Sequence, residues 1–342
     1  MFSVPFFKKS YPALDWIQVE ITSYCNADCI YCPHTAYRKS WQNRYLPLKS
    51  FQNLIPALSK SNLIYLQGWG EPFIHPDFMD MLRLSKKAGC RVGSTSNATL
   101  LNESVIEKMV VAGLDVIGFS LAGINKQNDR IRKGTSLENV LKCIETIHRV
   151  KNRLGTRRPM IHIAYMLLRS GLTDLAQIPT FLADIGADQT VISSLSLIVN
   201  RALEAEAMLA STKEEYLDLK NRLQSVREVS IKKGAEVHFH LVTPFKNEID
   251  CSENIQRALV VGSDGAVSPC VFTQIPAKGP NVFYYNGQKQ LQQNLCSGNI
   301  NEKQLNHIWY AREYKRFRHA HFTVSKPKIC QCCWKGKIDE AF

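Results

Sequence analysis

Trp16-Ile17-Gln18-Val19-Glu20-Ile21-Thr22-Ser23-Tyr24-Cys25-Asn26-Ala27-Asp28-Cys29-Ile30-Tyr31-Cys32 is the stretch on which the reading of the chain turns. The apolar, β-branched run 16–22 predicts a strand, and it empties directly into three cysteines on one short loop. At the carboxyl end of a parallel strand, such a loop stands where α/β folds place their chemistry. Three thiolates can hold three irons of a four-iron cubane and leave the fourth iron open to a cofactor or substrate. A structural zinc ion is the bland alternative; it needs a fourth ligand to close its tetrahedron, and His34 could supply one. The spacing favours iron, because zinc motifs usually come as paired cysteines rather than a triple.

Outward from this loop, apolar runs alternate with periodic, charged segments. Strands are expected at 16–22, 63–67, 91–96, 116–120, 161–166 and 189–193, with helices at 48–58, 77–87, 103–111, 137–150 and 174–183. Such β/α repeats imply a parallel sheet, because parallel neighbours need a crossover connection. A long charged helix is expected at 211–233. Beyond it the pattern changes: 258–261, the turn Ser263-Asp264-Gly265 and 266–268 read as a hairpin, 274–298 as a long loop, and 302–319 as a basic helix.

The composition, 45% hydrophobic and 21% charged, excludes disordered and fibrous classes. No stretch approaches the roughly 18 apolar residues of a membrane span, and the opening MFSVPFFKKSYP lacks the features of a signal peptide. A cytoplasmic protein with no membrane partner is expected. In that compartment the 11 cysteines are reduced thiols rather than a disulfide framework, and seven of them fall into groups that suit metal binding. The net charge of +13 implies either attraction to an acidic partner, a phosphorylated substrate or nucleic acid, or simply a basic enzyme.

The triple with an aromatic before its last cysteine resembles the signature of the radical S-adenosylmethionine family. Leu66-Gln67-Gly68-Trp69-Gly70-Glu71-Pro72 is similar to the family's Gly-Gly-Glu-Pro motif, with Trp69 departing at the first glycine. The resemblance implies an α/β fold: a partial (β/α)6 TIM-like barrel over 1–234 and a small C-terminal α+β auxiliary iron–sulfur module over 235–342. It implies a 4Fe-4S cluster on Cys25, Cys29 and Cys32, and S-adenosyl-L-methionine bound beside it. Gly70 and Glu71 would receive the methionine amino group, where a carboxylate suits a partly cationic donor. Ser120, and Arg132 twelve positions later, match the pair that contacts the methionine carboxylate in peptide-modifying members. Tyr31 matches the aromatic near the adenine, and Asn97 stands where many members carry Thr-Asn-Gly.

Cys251 and Cys270, with Gly265 between them, resemble the start of the auxiliary-cluster domains known as SPASM or, when shortened, twitch. With Cys330 and Cys333 they make a four-thiolate set for one auxiliary 4Fe-4S cluster. Cys332 competes with its neighbours for a place, Cys296 is a possible replacement, and a zinc ribbon is the alternative for the group. Cys90 and Cys143 read as small buried hydrophobes, and His238 and His240 are assigned no role.

The activity implied is reductive cleavage of S-adenosylmethionine to a 5′-deoxyadenosyl radical that abstracts hydrogen. A low-potential electron donor such as flavodoxin or ferredoxin is implied as partner. Three substrate readings follow: maturation of a peptide, protein or metal cofactor, including a resemblance to members linked to tungsten oxidoreductase cofactor modification; small-molecule dehydrogenation; and RNA modification. Nucleic acid is admitted by the charge but not favoured, and the alternative from another class is a non-catalytic zinc-binding module in which both cysteine groups are structural.

Overall fold

In the computed structural model, residues 11–243, 245, 251–321 and 326–341 are described. The expectation about a leader rests mostly on residues 1–10 and lies outside them. The strands, in chain order, are β1 Leu14–Val19, β2 Asp28–Cys29, β3 Ser61–Leu66, β4 Arg91–Ser96, β5 Val116–Leu121, β6 Arg132–Lys133, β7 Met160–Leu167 and β8 Gln189–Ser194. They continue with β9 Glu236–Val242, β10 Ala258–Val261, β11 Val267–Ser268, β12 Asn281–Tyr285, β13 Gln288–Gln292 and β14 Ile338–Ala341.

One ten-stranded sheet runs β11-β10-β1-β3-β4-β5-β7-β8-β9-β14. Every pairing from β10 through β9 is parallel, and only the two edge strands are antiparallel. The crossovers are helices Phe78–Lys87, Glu103–Val111, Leu137–Arg153, Ile178–Asp184 and Lys213–Lys232. Three start on side-chain caps: Asn102, Ser136 and Thr212 accept from the backbone N–H groups of Val105, Asn139 and Glu215. The edges do not pair with each other, so the barrel is partial. Alternation along β7 divides inside from outside: Ile161, Ile163 and Leu167 pack into the core, while His162, Ala164 and Met166 line the cavity on the concave face.

The sheet takes in the C-terminal region at both edges. β10 adds beside β1, with Trp16 opposite Ala258, and β14 adds beside β9, with Ile338 opposite Val242. β9 itself, which begins at Glu236, is a further parallel strand beside β8. A boundary at 234 therefore separates β8 from its neighbour, and the chain beyond it caps backbone edges that would otherwise stay unpaired.

Several expected elements differ. The helix expected over 48–58 is two short ones, Leu48–Gln52 and Ile55–Leu58, because Pro56 has no N–H to give and sits best in a first turn. Pro179 does the same inside 174–183, where a 3-10 turn Arg169–Gln177 precedes helix Ile178–Asp184. The 302–319 helix is likewise two, Leu305–Trp309 and Arg312–Ala320. The loop expected over 274–298 contains the hairpin β12–β13, with Tyr285 opposite Gln288. Asn286 and Gly287 turn it with φ of 52° and 72°, the left-handed pair a two-residue hairpin demands. Its Gln- and Asn-rich composition had hidden that signal.

Candidate active site

The concave face of the sheet encloses a cavity of about 760 Å³. At one end it is lined by residues from the amino ends of the strands, such as Trp16, Leu63 and Met160; at the other it reaches Cys25, Cys29 and Cys32. Tyr31, Gly70, Glu71, Asn97, Ser120 and Arg132 line it as well, so the residues expected from motifs hundreds of ångströms of extended chain apart share one wall.

The cysteine loop is held from two sides. β2 pairs with β6, placing Cys29 opposite Arg132, and Asn26 donates to the Thr99 hydroxyl at 2.7 Å while accepting from the Asn97 amide at 2.8 Å. Burial, with help from the adjacent thiols, pushes Cys25 up to about 11 and Cys32 up to about 12. Such buried thiols become thiolates only with a cation among them, which a cluster's irons supply. Among the described residues, no three His, Cys, Asp or Glu side chains are gathered tightly enough for a single metal ion. His34 packs edge-on to Trp41, with ring centroids 5.1 Å apart.

The cofactor side is polar and buried. Glu71 accepts from the Ser96 hydroxyl at 2.8 Å and from the Asn97 N–H at 2.7 Å, and burial raises its carboxyl to about 7 despite those bonds. Gly70 is required by close approach: a Cβ there would lie 2.3 Å from the Thr22 carbonyl oxygen. The Asn97 side chain is committed to the cysteine loop rather than aimed at open space. Arg132 donates to the Tyr31 hydroxyl. Burial works against its charge, but Tyr31, Cys29 and Cys32 outweigh that and hold the guanidinium in its charged form. Its buried Nε has no partner among the described residues, which leaves donor capacity for an anionic ligand such as a carboxylate. The three-thiol donor set, the buried carboxylate and this guanidinium fit a 4Fe-4S cluster with S-adenosylmethionine.

Trp69 joins this wall to the C-terminal region. Its backbone N–H donates to Glu20 at 2.9 Å, its indole N–H donates to the Gln274 carbonyl at 2.9 Å, and its ring stacks on Phe272. Glu20 is itself buried and accepts from the Ser263 hydroxyl at 3.0 Å. Burial raises its carboxyl to about 7.

Cys251, Cys270, Cys330 and Cys333 lie close enough for charge to be felt among them: burial first, and then the neighbouring thiols, raise Cys251 to about 12 and Cys333 to about 11 and raise Cys330 too, while burial and the Glu253 carboxylate raise Cys270. Glu253 and Lys335 form an ion pair beside them. Cys332 packs into the second core cluster instead, and Cys296 is exposed, 3.3 Å from the Gly298 carbonyl oxygen. Cys90 and Cys143 are buried in the main core. The donor chemistry of the four gathered thiols fits an auxiliary cluster. Sequence reasoning missed Asn26, Glu20, Glu253 and Lys335. Only Asn26, between two cysteines, carried a local signal.

A half-barrel that carries three thiols and a buried, charged arginine on one cavity wall fits the class of enzymes that pair an open-iron cluster with a bound organic cofactor. Residues 19–164 match the Radical SAM superfamily and residues 251–334 match SPASM, an iron-sulfur cluster-binding domain; the chain belongs to the radical SAM superfamily. Its enzymes use a 4Fe-4S cluster and S-adenosylmethionine, and the SPASM domain brings auxiliary iron–sulfur binding. A relative from Pyrococcus furiosus, the tungsten-containing aldehyde ferredoxin oxidoreductase cofactor-modifying protein, is 24% identical over 95% of this chain and 89% of its own. Among solved structures, Streptococcus suis SuiB bound to S-adenosylmethionine superposes with a TM-score of 0.64 at 15% identity, covering 94% of this chain and 78% of that one. Native anSMEcpe with bound AdoMet and Cp18Cys peptide gives 0.63 at 17%, covering 93% and 88%. These structures share the fold. No helix among the described residues is long and apolar enough to cross a membrane.

Proposed function

We propose that this radical SAM enzyme matures another protein, acting on its peptide or its metal cofactor, with the cofactor of a tungsten-containing oxidoreductase as the leading target. The observation that carries the reading is the cavity's reach. Its wall extends from Cys25 and Glu71 to His240, and His240 feels the charges of Lys335 and Glu253, the pair beside the second thiol group. A substrate there would sit between two redox centres, which suits a net oxidation or crosslink. The near full-length likeness to the cofactor-modifying protein of Pyrococcus furiosus supports the choice of target.

In this reading Cys25, Cys29 and Cys32 hold the radical cluster, and Cys251, Cys270, Cys330 and Cys333 the auxiliary one. When bound there, such a cluster would supply the one-electron reducing chemistry by which the superfamily draws a carbon-centred radical from S-adenosylmethionine. Arg132 and Ser120 would orient the methionine carboxylate, and Gly70 and Glu71 would receive its amino group. Tyr31 pins Arg132 in place. Trp69 closes the wall toward the C-terminal region and excludes water and stray hydrogen donors. A cytoplasmic setting and a flavodoxin- or ferredoxin-like electron donor belong to the same proposal. The division into a catalytic part, 1–234, and an auxiliary part, 235–342, belongs to the same proposal, with β9 of the second part adding a strand and His240 to the barrel of the first.

The test is anaerobic incubation of the reconstituted protein with S-adenosylmethionine, dithionite and the unmodified tungsten oxidoreductase. Release of 5′-deoxyadenosine in step with a mass change in that protein or its cofactor is expected. Unchanged target with uncoupled 5′-deoxyadenosine release would overturn it. The gathering of a single four-thiol set favours a second reading, a small-molecule radical dehydrogenase, which predicts coupling only to a small alcohol or amine.

A further inference from the structure

Helix Arg312–Ala320 lies beside the second thiol group. Its inner face touches that site: the Tyr314 hydroxyl lies 3.5 Å from the Ser268 carbonyl, beside Cys270, and His321 at its end stands 3.6 Å from the Cys330 sulfur. Arg318, also inward, is stacked over the rings of Trp309 and Tyr314 at 3.7 and 4.5 Å. These contacts make the helix a rigid wall.

The outer face is of one sign. Arg312, Lys315, Arg316 and His319 are exposed, and their spacing of three, four and seven residues puts them on one stripe. Among the described residues none of the four makes an ion pair, whereas exposed Arg149, Arg153 and Lys142 on the crossover helix Leu137–Arg153 all do. Glu313 alone is acidic on this helix and lies to the side of the stripe. Exposed Lys328, two residues before Cys330, extends the positive field around the end of the helix. Like charges one turn apart repel, so the isolated stripe costs stability that an acidic partner would return.

We propose that this stripe is the docking surface for a small acidic one-electron carrier protein, which exchanges electrons with the auxiliary cluster across the thickness of one helix. That thickness is about 10 Å. The inference rests on the auxiliary thiols holding a redox cluster, as in the function proposed above. In the exchange, one electron leaves the reduced auxiliary cluster and enters the oxidised carrier, and no bond forms or breaks. The electron that substrate oxidation deposits is thereby removed.

The experiment titrates the reconstituted holoenzyme with oxidised flavodoxin in a calorimeter at low and high salt, using wild type, Lys315→Glu/Arg316→Glu, and a control reversal at the exposed pair Lys232→Glu/Lys233→Glu. Binding that weakens with salt, falls by roughly tenfold or more in the helix variant, and changes less than twofold in the control is expected. Should the helix variant unfold, Lys315→Gln/Arg316→Gln replaces it with the same direction and a smaller loss. Equal binding by wild type and helix variant overturns the proposal, as does a stripe that governs tRNA binding while flavodoxin binding is unchanged. Dithionite-driven turnover needs no docking, so it isolates a failure of the proposed function from a failure of this surface.

Discussion

The indole nitrogen of Trp69 donates to the carbonyl oxygen of Gln274 across 2.9 Å. By sequence the two residues are 205 positions apart, and one belongs to the cofactor motif and the other to the region of the auxiliary thiols. The bond explains why the motif's first glycine is replaced. A side chain here holds the C-terminal region against the cavity.

Trp69→Phe removes the donor and leaves the Gln274 carbonyl unpaired, costing about 1 kcal/mol. Trp69→Gly, which restores the family's usual residue, also loses the stack on Phe272 and costs about 3 kcal/mol. Denaturant unfolding followed by tryptophan-independent circular dichroism measures both. Wild-type stability in the glycine variant would show that the contact is incidental.

Glu20 makes stability depend on pH. Because burial raises its carboxyl to about 7 in the folded state, the folded chain binds its proton more tightly than the unfolded chain. Its contribution is therefore complete below the unfolded value of about 4.3 and is lost as pH rises through about 7. Glu20→Gln mimics the protonated form. Melting temperatures of the two proteins, compared from pH 5 to pH 8, will shift in the variant's favour as pH rises; a constant gap would contradict the buried, raised carboxyl.

The adjacent cysteines Cys332 and Cys333 will behave differently. Iron analysis after anaerobic reconstitution will give about eight irons in wild type and about four in Cys333→Ala. Cys332→Ala and Cys296→Ala will keep about eight, because those side chains lie outside the gathered set. Iron lost from Cys332→Ala alone would reassign the ligand.

Asn97 acts on the cysteine loop through Asn26. Asn97→Ala removes the acceptor for Thr99 as well as the tether, and will lower stability by about 1–2 kcal/mol. It will also speed iron loss from the three-cysteine site to a chelator, in a background lacking the auxiliary thiols. Unchanged chelation kinetics would reduce Asn97 to a contact of the cofactor alone.

The predicted strands at 91–96 and 258–261 coincide with β4 and β10, because local alternation and flanking turns set them. Where prolines intervened, at Pro56 and Pro179, periodicity overran the real helix ends. The site was legible wherever its residues travel as a motif: the cysteine triple, Gly70-Glu71, and Ser120 with Arg132 all reach the same cavity. Glu20, Lys335 and Glu253 were invisible because a lone charged residue carries no local signature of burial or pairing.

By itself, the sequence determined the alternation of strands and helices, the spacing of the thiols and the identity of the chemistry, since each is written in neighbouring residues. Tertiary structure alone decided which thiols come near one another, that Cys332 packs against the second core cluster, and that β10 and β14 cap the two edges of the barrel. Those outcomes depend on contacts between segments up to hundreds of residues apart. No local pattern encodes them, because they are fixed by which surfaces remain unpaired once the strands have assembled.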